Sequence, residues 1–444
     1  MDSRIDKVKL NHWLNIRKTT LDVLNGLLKK HINFELTFEN LDQLDSNSVE
    51  KLAEILAIPK NNILEQKETP SFIYNSKETI EKSKRPIQRG GIHYYNYYTL
   101  PSPKGYVAPV LIDILCPKDK LPVLNNGHLE PAITVSLGPN DIYARFAKKI
   151  NKVNFLKFRI NPDPKTNWIV GSNYFEPSYC LHTYSRATTG PGRILSYTTK
   201  SNIEDLFNSK LNQDSFNNLS KQLNSKKPNR SFLGQDIFNK GYTVKSIAKK
   251  TKISPKKIQN YINNKGRALN INELKKICNI LNSDPYFYVD KKFKEDKIGK
   301  YYFDYKDSIK TIRDFKSYKV ASIANSTRSP DLTGYFLKVD NNSKKTVTDL
   351  LDSNCSHYLV TKGKITFFSK IKNDIKKLEM KEGDSVWVSS YNKHGFTGFG
   401  ALVKISDGQN FNYLEKIDLT NTYNLKTTLS RGRKDKKNWG YDAR

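Results

Sequence analysis

The chain has 444 residues, with 75 Lys and Arg against 44 Asp and Glu, a formal net charge of +31. This length exceeds one ordinary hydrophobic core, so about two to four domains are expected. The basic excess points to nucleic acid or an anionic small molecule, but lysine is spread through an Asn- and Ile-rich chain, which reads as a solvated surface rather than one binding stripe. The longest apolar stretch, Tyr106 to Leu115, is broken by Asp113 and falls short of the ~18 residues that cross a bilayer. The opening MDSRIDKVKL has no apolar core of a secretion signal. Cys116, Cys180, Cys278 and Cys355 are scattered without CxxC spacing, which suits a reducing compartment, so a cytoplasmic protein without membrane contact is expected.

In chain order, Leu10 to about Leu64 has helical periodicity, and SVEKLAEILAIPKNNIL closes it where Pro59 stops the run. Short alternating segments such as APVLIDIL and PAITVSLG follow, separated by Gly and Pro, and predict strands. A polar connector runs from Asn208 to Asn229. From Tyr242 to Val289 the helical pattern returns in YTVKSIAKKTKISPKKIQNYI and NINELKKICNILNSDPYFYV, and strands return in KGKITFFS and DSVWVSS. The plan is therefore doubled, helical unit then β unit, twice.

The second helical unit resembles a helix-turn-helix in which SPKKIQNYINNKG takes the place of a recognition helix, offering Lys256, Lys257 and Asn260 to DNA. The first unit has a stretched turn carrying Asp42, Asp45 and Glu50. Both are expected to pack against their β units, and nucleic acid is not the expected partner.

In NNGHLEPA (125–132) and NYFEPSYCLH (173–182), His128, Glu176 and His182 supply two imidazoles and one carboxylate. This is the set that holds Fe(II) on one face and leaves positions for substrate and O2; zinc or manganese fits the same atoms. In the second half, EGDSVWVSSYNKHGF (382–396) resembles the second cupin motif. Aligning His394 with His182 sets Val388 opposite Glu176, and matching the turn glycines Gly138 and Gly363 sets Ser353 opposite His128, so one donor of three is expected to remain. Upstream, RPIQRGGIHYYNYYTL (85–100) joins an arginine fork to a tyrosine-rich strand, a combination that binds a tetrahedral dianion. Arg89 and Tyr97 are the candidates there, and Asn125 can add its amide. Strand alternation requires at least half of Tyr94, Tyr95, Tyr97 and Tyr98 to serve packing. The fold class is α+β, a tandem repeat of a helix-turn-helix-like domain and an antiparallel β-barrel of the cupin type. The boundaries are 1–70, 71–205, 206–290 and 291–444, the last with a degenerate metal site.

These stretches, with the opening KLNHWLNIRK and the closing LTNTYNLKTTLSRGRKDKKNWGYD, resemble the 2-hydroxyethylphosphonate dioxygenase family of mononuclear non-haem iron enzymes of phosphonate biosynthesis, end to end. The resemblance implies Fe(II) on His128, Glu176 and His182, with a phosphonate substrate held by Arg89, Tyr97, Asn125 and Ser196 and oxidised by O2 without 2-oxoglutarate. It implies that Lys18 reaches into the site and that Tyr97 and Lys18 take part in catalysis. The implied reaction cleaves the C–C bond of 2-hydroxyethylphosphonate to hydroxymethylphosphonate and formate. The related methylphosphonate synthase makes methylphosphonate from the same substrate and takes a glutamine ligand four residues after the first His; here that position is Ala132 and Glu176 is intact, which favours the dioxygenase. A helix-turn-helix/cupin transcription regulator and a zinc or manganese sugar-phosphate isomerase are the alternatives from other classes. A homo-oligomer is compatible with all of these readings.

Overall fold

The computed structural model describes residues 4–65, 69–120, 125, 127–147, 156–162, 168, 170–201, 203–204, 206–207, 211–223, 227–289, 301–341 and 346–434. The boundary at 290/291 and the end of the closing motif, 435–444, lie outside the described residues.

Three helices open the chain: α1 (Lys7–Arg17), α2 (Leu21–Leu28) and α3 (Ser46–Ile55). Each begins at a side-chain cap, Asp6, Thr20 and Asp45, that accepts from otherwise unpaired backbone N–H groups. Their apolar faces close on Leu10, Leu14, Leu24, Leu28, Val49 and Leu52. The first β half contains β1 (Phe72–Asn75), α4 (Lys77–Lys82), β2 (Arg85–Arg89), β3 (Ile92–Thr99), β4 (Val110–Ile114), β5 (Ala132–Pro139), β6 (Ile142–Ala147), β7 (Leu156–Ile160), β8 (Asn173–Glu176), β9 (Leu181–Arg186) and β10 (Gly192–Thr198). Helices α5 (Gln213–Gln222), α6 (Pro228–Asn239), α7 (Val244–Thr251), α8 (Pro255–Ile262) and α9 (Ile271–Leu281) follow. The last four of these bury Leu233, Ile247, Ile258, Tyr261 and Leu274 in their own core. Lys257, offered above as a DNA contact, instead pairs with Glu273.

The second β half contains β11 (Tyr301–Phe303), α10 (Tyr305–Ile309), β12 (Arg313–Phe315), β13 (Tyr318–Ser322), β14 (Thr333–Asn341), β15 (Cys355–Ile371), β16 (Asp374–Lys381), β17 (Ser385–Val388) and β18 (His394–Asp407). Two helices, α11 (Tyr413–Thr420) and α12 (Leu425–Lys434), complete the chain. The main sheets have matching orders, β11-β8-β5-β10-β4-β3-β2 and β1-β17-β15-β18-β14-β13-β12. In the first half a separate β7-β6-β9 sheet covers one face. In the second, β15 and β18 run for 17 and 14 residues and serve for two strands each. Among the described residues both strand paths have free ends, so open, facing sheets are seen where closed barrels are expected from the sequence.

The first strand of each β half is exchanged. β1 pairs with β17 of the second half, Phe72 opposite Val388, and β11 pairs with β8 of the first, Tyr301 opposite Phe175. Each exchanged arm is pinned by its host. Asp384 Oδ1 accepts from the N–H of Lys77, the first residue of α4, at 2.8 Å. Asn173 bonds Ser308 of α10 at 3.0 Å and the Ala324 N–H at 2.7 Å.

Alternation along the strands sends successive side chains to opposite faces. On β5, β8 and β10, Ile133, Val135, Phe175, Leu195 and Tyr197 pack against Leu359, Ala401, Val403 and Ile405 of the other half. Their neighbours Thr134, Glu176 and Ser196 therefore face the interior of the first half. No helix among the described residues is long and apolar enough to cross a membrane.

Candidate metal centre

His128, Glu176 and His182 come together, with one ligand atom from each lying within 4.8 Å of the others. Glu176 ends β8 directly across from Ala132 of β5. His182 lies on β9, and His128 lies in the turn that leads into β5. That turn depends on Gly127, whose φ is +75°; a Cβ there would come within 2.6 Å of the Tyr179 backbone. Only glycine permits this approach without strain, and across it the Tyr179 N–H donates to the His128 carbonyl at 2.6 Å. The two imidazoles are thus brought to 5.6 Å between ring centres.

Both rings are held in one tautomer. His128 Nδ1 lies 2.6 Å from the Glu130 carbonyl and His182 Nδ1 lies 2.9 Å from the Cys180 carbonyl. A carbonyl only accepts, so each Nδ1 carries the proton and each Nε2 presents a lone pair. Glu176 is buried, with Oε1 3.3 Å from His182 Nδ1. Two locked imidazoles beside a buried carboxylate fit a divalent transition ion, which supplies the positive charge that a buried carboxylate requires.

A cavity of about 210 Å³ adjoins His182 and is lined by Arg89, Tyr97, Asn125 and Ser196. It lies below the ~300 Å³ at which drug-sized pockets begin, a size suited to a small anion. Asn125 is tied to His182, its side-chain amide donating to Nε2 at 2.8 Å and its backbone N–H donating to the His182 carbonyl at 3.0 Å. Ser196 Oγ lies 3.3 Å from Thr134 Oγ1. Burial pushes the Tyr97 phenol up, against the pull of Arg89 and Arg85, so it stays a proton donor at neutral pH.

Lys18 is not among the residues lining this cavity. It caps the C-terminal end of α1 in the left-handed conformation, φ 52°, within the first helical unit. Conversely, Tyr94, Tyr95 and Tyr184 line the cavity although sequence reasoning did not select them. Alternation puts Tyr95 on the same face as Tyr97, and a β-bulge brings in Tyr94. Ile87 pairs with Tyr95 and Gln88 with His93, which leaves Tyr94 unpaired and breaks the alternation. Tyr95 is pushed up to about 12 by burial, and its hydroxyl reaches the Tyr184 carbonyl at 3.1 Å.

The ladder corrects one correspondence between the halves. Ala132 faces Glu176 as Ser356 faces Val388, and Thr134 faces Ser196 as Tyr358 faces Lys404. Counting back from Ser356, the residue opposite His128 is Asp352 rather than Ser353. The turn glycines mislead because they occupy neighbouring rungs, Gly363 falling opposite Pro139 in this register.

The family model for the 2-hydroxyethylphosphonate dioxygenase cupin-like domain matches residues 81–199, and that for the Cro/C1-type HTH DNA-binding domain matches 239–285. The 2-hydroxyethylphosphonate dioxygenase of Streptomyces viridochromogenes is 36% identical over 445 residues, covering 99% of this chain and 100% of that protein. PhpD with cadmium, complexed with hydroethylphosphonate, is 34% identical with a TM-score of 0.81, covering 97% of this chain and 100% of the other. The Streptomyces albus enzyme with substrate and Fe(II) bound shares the fold at TM-score 0.79 and 14% identity, covering 98% of both chains. By full-length sequence similarity and the matching cupin-like domain, the chain belongs to the 2-hydroxyethylphosphonate dioxygenase family.

Proposed function

We propose that the chain is an Fe(II)- and O2-dependent dioxygenase that converts 2-hydroxyethylphosphonate to hydroxymethylphosphonate and formate, with His128, Glu176 and His182 as the metal ligands. The observation that carries this reading is the small cavity beside His182, one of the trio, whose lining includes Arg89, Tyr97, Asn125 and Ser196, groups that suit a phosphonate. The supporting domain reading is two helical units, 1–70 and 206–290, each followed by a cupin-like β unit, 71–205 and 291–444.

Iron bound by the trio supplies the activation of O2, and the substrate supplies all four electrons. The protein's own groups set the geometry. The Arg89 guanidinium presents a planar fork to two phosphonate oxygens, giving charge and orientation together. The Tyr97 phenol, the Asn125 amide and the Ser196 hydroxyl donate to the remaining oxygens. Ile87, Ile112 and tyrosine rings wall the cavity, so contacts made against them would be stronger than in bulk solvent, while Arg89 lies exposed at its rim. Substrate bound through its hydroxyl and a phosphonate oxygen would present the carbinol carbon to the reacting oxygen and keep that chemistry out of bulk water. Lys18 would add charge at the phosphonate, from this chain or from a neighbouring copy.

Ala132 and the intact Glu176 leave methylphosphonate synthase without support, since the glutamine ligand of that reading would stand at Ala132. The test is anaerobic loading with Fe(II), addition of 2-hydroxyethylphosphonate, and oxygen uptake followed by phosphorus NMR. Hydroxymethylphosphonate is the expected product; methylphosphonate, or no oxygen uptake, overturns the reading.

A further inference from the structure

The second β half retains a buried polar cluster at the rungs where the first half holds its metal ligands and anion contacts. His394 stands where His182 does and is locked in the same way, its Nδ1 2.8 Å from the Asn392 carbonyl, two residues back. Asp352 stands in the place of His128, with Oδ2 3.7 Å from His394 Nε2. Tyr358 bridges them, its hydroxyl 2.8 Å from His394 Nε2 and 2.9 Å from Asp352 Oδ2. Ser356 Oγ also donates to Asp352 Oδ2 at 2.9 Å, and the charged partner is Lys404, which takes the rung of Ser196. Its ammonium lies 2.7 Å from Asp352 Oδ1 and 4.8 Å from the centre of the Tyr335 ring, and the residue is only 5% exposed.

A lysine so buried is uncommon, and a buried ion pair gains little over an apolar filling. This one has a chemical parallel instead. In the first half a buried carboxylate and two imidazoles call for a divalent cation; in the second a carboxylate and one imidazole meet a covalently attached cation. Against burial, which would raise the Asp352 carboxyl, Lys404 and His394 hold it below the usual carboxylate range.

We propose that Lys404 is a built-in counter-cation that takes the electrostatic role of the metal ion, so that the second half is a latent divalent-metal site which Lys404 keeps closed. Asp352 Oδ1 and Oδ2 and His394 Nε2 are the donors, a set that accepts cobalt, zinc or manganese. Val388, in the place of Glu176, accounts for the missing third ligand.

The parallel with the first half rests on its metal reading, so the experiment separates the two. In a His128→Ala/Glu176→Ala background, which disables the first site, cobalt is added, excess ion is removed by gel filtration, and bound metal is counted by mass spectrometry. The background is expected to hold no cobalt. Adding Lys404→Ser should bring one ion per chain, and adding Val388→Glu as well should tighten it. Lys404→Ser should also lower the melting temperature, and cobalt should restore it. If the Lys404→Ser protein does not fold unaided, cobalt should recover the fold, and Asp352→Asn/Lys404→Ser, which leaves no unpaired charge, should fold without metal. The proposal is overturned if the Lys404→Ser chain neither binds cobalt nor is stabilised by it, or if the background already carries cobalt on the second half. Failure of the unmodified chain to retain any metal would count against the first site alone.

Discussion

Rung for rung, the two β halves agree in strand order and differ in what faces inward. Glu176 corresponds to Val388, His128 to Asp352 and Ser196 to Lys404, whereas the seam residues Val135 and Leu195 correspond to the equally apolar Leu359 and Val403. The fold thus depends on the alternation that buries one face of each sheet, and it tolerates a catalytic set, an apolar residue or an ion pair on the other face. The sheet does not need His128, Glu176 and His182 to stand, because the second half shows the same strand order without them.

The largest expected effect tests that contrast directly. Glu176→Ala should reduce turnover on the order of a thousandfold or more by removing the charged ligand, with the circular dichroism spectrum unchanged. Val388→Ala should leave turnover intact and cost about 2 kcal/mol of stability by opening the core. Near-normal activity in Glu176→Ala would show that the ligand assignment is wrong.

A smaller effect separates the turns that lead into β5 and β15. Gly127→Ala should weaken iron retention by roughly 10- to 100-fold, the range for groups that orient metal ligands, because the new Cβ meets the Tyr179 backbone. Leu351, the matching residue, is exposed, so Leu351→Ala should change neither metal content nor melting temperature. Metal titration and thermal melts of the two variants check this pair.

A third effect, read in stability and confined to acid pH, concerns the seam. Ile133 faces Phe175 as His357 faces Trp387. His357 is buried against Tyr197, 5.0 Å between ring centres, and burial pushes its pKa down to about 3. Below the ordinary histidine range near 6.5 the unfolded chain takes a proton that the folded chain refuses, so stability falls as pH drops from about 6.5 toward 3 and is flat above. His357→Ile, which copies the first half, should flatten this part of the profile in urea melts across that pH range. An unchanged slope would place the acid sensitivity elsewhere.

The doubled plan was legible in the sequence because alternation and helical spacing are properties of single segments. His128, Glu176 and His182 stood out as residue types costly to bury without a function, and the structure brings them together, with Arg89, Tyr97 and Asn125 lining one cavity beside His182. What escaped depends on pairing between distant segments. FIYN at 72–75 and YYF at 301–303 fit either sheet edge equally well, so nothing local says that each crosses to the other half. The bulge beside Gln88 that brings Tyr94 to the cavity beside Tyr95 and Tyr97 is visible only in the ladder. Asp352 was missed because the turn glycine, free to sit on either of two rungs, is a poor ruler. Lys18 rests on resemblance, and the cavity of this chain is built without it.

The exchanged strands also set an order of events during synthesis. The edge of β8 that carries Glu176 waits for Tyr301–Phe303 to emerge, and Phe72 waits for Val388. At about 5–20 residues per second on the ribosome, the first wait lasts roughly 6–25 s, during which the nascent first half displays an open β edge able to recruit another chain. Neither half completes its sheet without a strand from the other, so neither can be released as a self-sufficient product.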